Sequence, residues 1–306
     1  MSKVIGIDLG TTFSAIASLD DLGNPEVLAS IEDNRKITAS AVYLKDNEVI
    51  VGDKALNYLK DQSNNVILQT KREMENDVVY STDEGKWVTD KDLVDAYTPA
   101  QVSSLILKKL KEYTSDVKKV VITVPAMFAE KARQATLDAA KIADLEVIEL
   151  INEPTAAVLH YASLPGVEVG GRVMIFDLGG GTFDVTFAEV KNKKVDVMTS
   201  RGDKYLGGRD FDKEITKLMK KKYFDVHNVE IDIENNKEYI HKAEEVKKIL
   251  SVKDKANIEI TGPKGPQKIE ITQEEFEESI QTYIEKIKML IEEAMEASGM
   301  NPSRIN

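Results

Sequence analysis

The chain has 306 residues, of which 42% are hydrophobic and 31% charged, with a net charge of −12 and no cysteine. That length exceeds what one core usually holds, so more than one domain is expected in an otherwise ordinary globular composition. The acidic balance argues against broad nucleic-acid binding, which needs a basic face; the missing thiols exclude disulfides and thiolate metal sites; and the longest apolar runs, such as Val120–Val124, are far too short to span a membrane.

The opening run Lys3-Val4-Ile5-Gly6-Ile7 reads as a strand and not as a signal peptide, which fits a cytoplasmic protein. Residues 1–20 read as two apolar strands joined at a Gly-Thr-Thr turn, and residues 26–52 alternate like short strands. Gly52–Lys60 reads as a helix, and Thr98-Pro99 opens a longer one to about Tyr113. Strand 119–124, helix 129–143, strand 146–151 and helix 153–162 follow, then a strand-rich block at 172–200. Helices are expected at 208–223 and 237–251, and a last one from the N-cap Thr272 to about Ala297. Its Phe276, Ile280, Tyr283, Ile284, Ile287, Ile291 and Ala294 form one apolar stripe. The alternation of strands and helices indicates an α/β fold.

One hairpin occurs twice. Ile5-Gly6-Ile7-Asp8-Leu9-Gly10-Thr11-Thr12-Phe13-Ser14 matches Ile175-Phe176-Asp177-Leu178-Gly179-Gly180-Gly181-Thr182-Phe183-Asp184 with one inserted glycine. Two similar lobes are expected, with a ligand cleft between them. A tight glycine turn after a strand gathers backbone N–H groups into a nest that binds anions, phosphate above all. Thr11, Thr12 and Thr182 add hydroxyls, and Asp8 and Asp177 end the strands beside the turns. Carboxylates beside a phosphate nest are explained by Mg²⁺ between them, an ion that keeps waters and takes few protein ligands besides phosphates. Two ordinary hairpins are the competing reading.

The two turns resemble the phosphate loops of the actin, sugar-kinase and heat-shock chaperone superfamily. Phe176-Asp-Leu-Gly-Gly-Gly-Thr-Phe-Asp184 resembles the DnaK-type, 70-kDa heat-shock chaperones in particular. So do Asn152-Glu153-Pro154-Thr155-Ala156-Ala157, Thr123-Val124-Pro125-Ala126 with Arg133-Gln134-Ala135-Thr136, and Leu206-Gly207-Gly208-Arg209-Asp210-Phe211-Asp212, all in one order. The resemblance implies an actin-like ATPase fold. It has a first lobe over 1–166 with an inserted subdomain near 35–98, and a second lobe over 167–306 with one near 205–272. It implies slow ATP hydrolysis that gates a protein-folding chaperone, with ATP or ADP, Mg²⁺ and K⁺ as cofactors. Asp8 and Asp177 would hold the waters around Mg²⁺, and Lys71 would reach the γ-phosphate and the attacking water. Glu153 would order that network, and Thr182 and Asp184 would line the γ-phosphate side. Gly10, Thr11, Thr12, Phe13, Gly179, Gly180 and Gly181 would cradle phosphate, and Gly207, Gly208, Glu244, Lys247, Lys248 and Ser251 would belong to the adenosine side. Pro125 and Arg133 resemble the pair that relays nucleotide state to a partner domain. Each feature also has an ordinary reading: a solvated lysine for Lys71, a helix-starting acid for Glu153, and a wet helix face for Glu244–Ser251. The histidines show no metal-ligand spacing, and Lys220-Lys221-Lys222 reads as the wet face of a helix.

Where family members carry an arginine four residues before the glutamate of Asn-Glu-Pro-Thr, this chain has Glu149, which argues against ordinary stimulation by a J-domain co-chaperone. Lys248 stands where eukaryotic members often have an arginine, and stacks less well on a purine. After the last helix the family continues into an adenosine loop, closing helices and a peptide-binding domain; the chain is therefore expected to be a C-terminally truncated ATPase half, with unfolded polypeptide and exchange factor as partners of the longer protein. A nucleotide-binding module without turnover and an actin-like filament ATPase are the rival readings. A sugar kinase lacks support in these motifs.

Overall fold

The computed structural model describes residues 4–300 except 47, 62, 91, 94, 95, 116, 165–170 and 192–193. It divides into two compact units, Met1–Lys204 with Glu293–Asn306, and Tyr205–Glu292.

The first unit begins with the strands β1 (Val4–Asp8), β2 (Phe13–Leu19), β3 (Pro25–Val27), β4 (Thr38–Ala39), β5 (Ala41–Lys45) and β6 (Glu48–Val51). The helix α1 (Asp53–Leu56) is shorter than the expected Gly52–Lys60, because the chain tightens into turns in which Asn57, Tyr58 and Leu59 donate to the carbonyls three residues back. β7 (Val66–Leu68), the 3₁₀ turn Thr70–Glu73, β8 (Val79–Ser81), β9 (Lys86–Val88) and β10 (Ala96–Tyr97) follow. Next come α2 (Pro99–Lys111), β11 (Lys119–Val124), α3 (Glu130–Ile142), β12 (Glu146–Asn152) and α4 (Glu153–Ser163). α2 starts at the expected Thr98-Pro99, and Thr98 caps it through a reciprocal box with Gln101. β13 (Gly171–Leu178), β14 (Phe183–Lys191) and β15 (Lys194–Asp203) complete the unit's strands.

The main sheet runs β12-β11-β1-β2-β3, with β4 on β2. β1 pairs antiparallel with β2 and parallel with β11, and β11 pairs parallel with β12. In β1 the alternation buries Ile5 and Ile7 and leaves Asp8 at an exposed strand end. Those isoleucines pack with Ile16, Val120 and Ile122 and with Val102, Ile106, Leu107 and Leu110 of α2. The repeated hairpin is β13-β14, extended by β15 into an antiparallel sheet that sets Asp177 opposite Asp184. Small sheets β6-β5-β7 and β10-β8-β9 occupy the stretch after the first hairpin.

The second unit holds α5 (Gly208–His227), α6 (Lys237–Leu250), β16 (Lys255–Gly262), β17 (Gly265–Thr272), α7 (Gln273–Ser279) and the start of α8 (Gln281–Ser298). The hairpin β16-β17 packs Ile260 and Ile271 against Met219, Tyr223, Ala243 and Val246. The final helix, expected unbroken from Thr272, has the expected cap, with Glu275 as its reciprocal partner, but breaks at Ile280. Ser279 bonds back to the Phe276 carbonyl at 2.7 Å, a competition that bends helices.

Candidate functional site

Both glycine turns lie in the first unit, at the ends of β1 and β13. The first is braced from within. Gly10 N donates to Ser14 Oγ at 3.2 Å, Ser14 and Ser40 share a hydroxyl contact at 2.9 Å, and Ser40 Oγ donates to the Gly10 carbonyl at 2.8 Å. Ser40 N also donates to the Thr12 carbonyl at 2.8 Å. The second turn closes with Gly179 N donating to the Thr182 carbonyl at 2.9 Å. The Gly10 and Gly179 amides are thus engaged inside their own loops.

The two turns meet. A Cβ on Gly180 would lie 1.9 Å from Thr12 Oγ1, and one on Gly181 would lie 2.5 Å from Thr11 Cγ2. A Cβ on Gly10 would lie 2.0 Å from the Phe13 carbonyl oxygen. Glycine at these positions is therefore a requirement of close approach. Arg72 reaches the same place: its Nε donates to the Gly181 carbonyl at 2.8 Å, and Nη2 donates to the same oxygen.

Carboxylates gather around this junction. Asp8 Oδ1 accepts from Thr123 Oγ1 at 2.9 Å. Glu153 opens α4 and forms an ion pair with the buried Lys71 of the 3₁₀ turn. Burial pushes the Glu153 carboxyl up, Lys71 pulls it back, and Asp8 and Asp177 push it up again. Burial also raises Asp177, against Lys71 and together with Asp8. Asp184 is held up to about 7 by burial and by its neighbours Glu153 and Asp177. Its Oδ1 is buried with no hydrogen-bond partner among the described residues, as is Thr70 Oγ1 beside Lys71. Asp8, Glu153, Asp177 and Asp184 are thus mutually repelling acids served chiefly by Lys71, an arrangement short of positive charge. Among the described residues no three His, Asp or Glu side chains converge closely enough to hold a metal ion directly.

Pro125 and Arg133 border the same cluster. Arg133 Nε donates to the Phe128 carbonyl at 3.0 Å, and Nη2 donates to Asn152 Oδ1 at 2.7 Å, next to Glu153. Phe128 N donates to the Pro125 carbonyl at 3.1 Å, and the Phe128 ring lies 6.0 Å from Lys71 Nζ. Sequence reasoning missed Ser14, Ser40, Thr123, Arg72 and Phe128. Arg72 adjoins Lys71 and Ser14 ends the quoted hairpin, but nothing local marks their partners.

The adenosine-side residues lie in the second unit. Gly207 and Gly208 start α5, where Gly207 N donates to Asp210 Oδ2 at 3.0 Å. Lys247 of α6 bonds Asp212 Oδ1 at 2.6 Å and the Gly208 carbonyl at 2.9 Å. Burial nevertheless lifts Asp212 to about 6. Glu244 is held near 2, first by His241, and it pairs with Lys248 at 2.9 Å. Ser251 Oγ donates to the Lys247 carbonyl at 3.1 Å. Glu149 is exposed on β12, the edge strand of the main sheet. Cavities of about 650 Å³ and about 660 Å³ open elsewhere in the first unit, one beside Lys108, Lys111 and Lys118, the other beside Pro99, Glu130 and Gln134. Neither of these two is lined by a glycine-turn residue. Among the described residues no helix is long and apolar enough to cross a membrane.

Residues 4–306 match the family model described as Hsp70 protein. The chain is similar to a protein described as "Chaperone protein dnaK" from Trieres chinensis, at 34% identity over 334 aligned positions that cover 100% of this chain and 54% of the relative. It is equally similar, at 34%, to a protein of the same description from Thalassiosira pseudonana, covering 100% of this chain and 55% of that one. The chain spans about half the length of the curated relatives it matches. With the repeated glycine hairpin, the carboxylate cluster around Lys71 and a family match across nearly its whole length, the chain belongs to the Hsp70 family.

Proposed function

We propose that this chain is the nucleotide-binding, slowly ATP-hydrolysing part of a DnaK-type chaperone. The observation that carries the reading is the meeting of the two glycine turns beside Lys71 and the repelling acids. Phosphate oxygens fit the turn amides, and a divalent cation fits carboxylates that lack positive charge and include the unpartnered Asp184 Oδ1. Hydrated magnesium, whose waters Asp8 and Asp177 would hold, would supply neutralisation of the phosphate charge when bound.

The protein's own residues divide the remaining work. Thr11, Thr12, Gly180, Gly181 and Thr182 would orient the phosphates, the Gly179 amide being engaged by the Thr182 carbonyl. Lys71, a point charge on a flexible stem, follows the γ-phosphoryl group. Glu153 holds Lys71 and orders the attacking water for in-line displacement. Such chemistry needs positioning and charge neutralisation more than covalent catalysis. Potassium would share the carboxylate region. The link from Lys71 through Phe128 to Pro125 and Arg133 supports a relay of nucleotide state to a partner domain. Unfolded polypeptide, an exchange factor and a J-domain protein would be partners of the longer protein, with Glu149 weakening the last.

Titration calorimetry with ATP, run with Mg²⁺ and with chelator, tests the reading. Binding that requires Mg²⁺ is expected; no binding in either condition would overturn it.

A further inference from the structure

We propose that Arg72 is a positioning residue that latches the second glycine turn to the first and thereby aims the Thr182 amide at a bound phosphate. This rests on the nucleotide reading above. The 3₁₀ turn Thr70–Glu73 starts from Gln69 in the left-handed region at φ 60° and sends consecutive side chains to separate targets. Lys71 goes to Glu153, and Arg72 goes to Gly181, 109 residues away in sequence. Two nitrogens of one guanidinium donate to one carbonyl oxygen, so both the distance and the direction of that carbonyl are set. The peptide unit is planar and trans, so fixing the Gly181 carbonyl fixes the Thr182 N–H in the opposite direction. The absence of a Cβ lets this happen, since one on Gly181 would lie 3.0 Å from Arg72 Nε and closer still to Thr11. A lysine could supply charge there but not the two-nitrogen fork.

The role differs from that of Lys71. Lys71 is placed to act on charge that moves during transfer, so its loss should appear in turnover. Arg72 holds the Gly181 carbonyl and sets a donor that serves bound substrate and transition state alike, so its loss should appear in affinity.

The test compares Arg72→Lys and Arg72→Gln with the unmodified chain in two measurements. The first is amide hydrogen exchange across 180–182 without nucleotide. The second is MgATP titration with single-turnover hydrolysis at saturation. We expect exchange in that turn to rise about tenfold or more, with the β13-β14 ladder unchanged. MgATP affinity should fall roughly tenfold to a hundredfold, the range for losing hydrogen bonds to a charged donor, while hydrolysis of the bound nucleotide changes little. Unchanged exchange in the turn, exchange rising across the whole unit, or a loss confined to turnover would each overturn the latch. Failure of the unmodified chain to bind MgATP would instead overturn the nucleotide reading, and the exchange measurement would still decide whether Arg72 holds the turn.

Discussion

Asp184 offers the sharpest electrostatic prediction. Its carboxyl is fully buried, faces Asp177 across the β13-β14 ladder and is held up to about 7 by burial and by Glu153 and Asp177. In the unfolded chain it titrates near 3.8. Below that pH both states are protonated and the group costs nothing. As pH rises toward about 7 the unfolded state ionises while the folded state keeps its proton, so stability falls with pH across that window and is flat above it. At 1.36 kcal/mol per pH unit the full loss is about 4 kcal/mol. Asp184→Asn removes the titration and nearly preserves the shape. In chelator the variant should match the parent near the acid end of the window and exceed it by up to about 4 kcal/mol at mildly alkaline pH. For a unit of this size that is roughly 8 °C or more in Tm. Thermal melts across the window provide the assay. An advantage that is absent at alkaline pH, or equal at both ends, would refute the reasoning. Magnesium nucleotide should narrow the gap by stabilising the ionised parent.

Lys71→Ala should keep MgATP binding and lose most hydrolysis in single-turnover assays, with an unchanged rate as the contrary outcome. Gly180→Ala would force the turns apart, since the new Cβ would fall 1.9 Å from Thr12 Oγ1; a cost of about 1–3 kcal/mol is expected, read as weaker MgATP binding by calorimetry. Glu149→Arg should increase stimulation of hydrolysis by a J-domain protein, as expected if the exposed carboxylate on β12 weakens that proposed partnership; equal stimulation of parent and variant would show that Glu149 plays no part in it.

The parts of the fold legible in the sequence are those encoded locally. The boxes Thr98–Gln101 and Thr272–Glu275 mark helix starts within four residues, and the alternation around Ile5 and Ile7 marks a half-buried strand. The glycine turns are legible because close approach admits no side chain, and because the pattern occurs twice. Less legible features depend on partners distant in sequence. Nothing near Ser14 points to Ser40, and nothing near Arg72 points to Gly181. The hairpin β16-β17 is locally encoded too, since Ala256, Ile258 and Ile260 alternate with polar residues before the Gly262-Pro-Lys-Gly265 turn and Ile269 and Ile271 do so after it, whereas the break at Ile280 interrupts a stripe whose periodicity continues through it. The engagement of Lys247 with Asp212 is likewise a tertiary fact that places a residue expected near adenosine in an internal ion pair.

The central claim is that the joined glycine turns and Lys71 hold a nucleotide triphosphate for hydrolysis. Single-turnover conversion of γ-labelled ATP, with the chain in excess and with or without Mg²⁺, tests it most directly. Slow phosphate release that requires Mg²⁺ and is lost in Lys71→Ala is expected. Release that proceeds equally in chelator, or survives in Lys71→Ala, would contradict it.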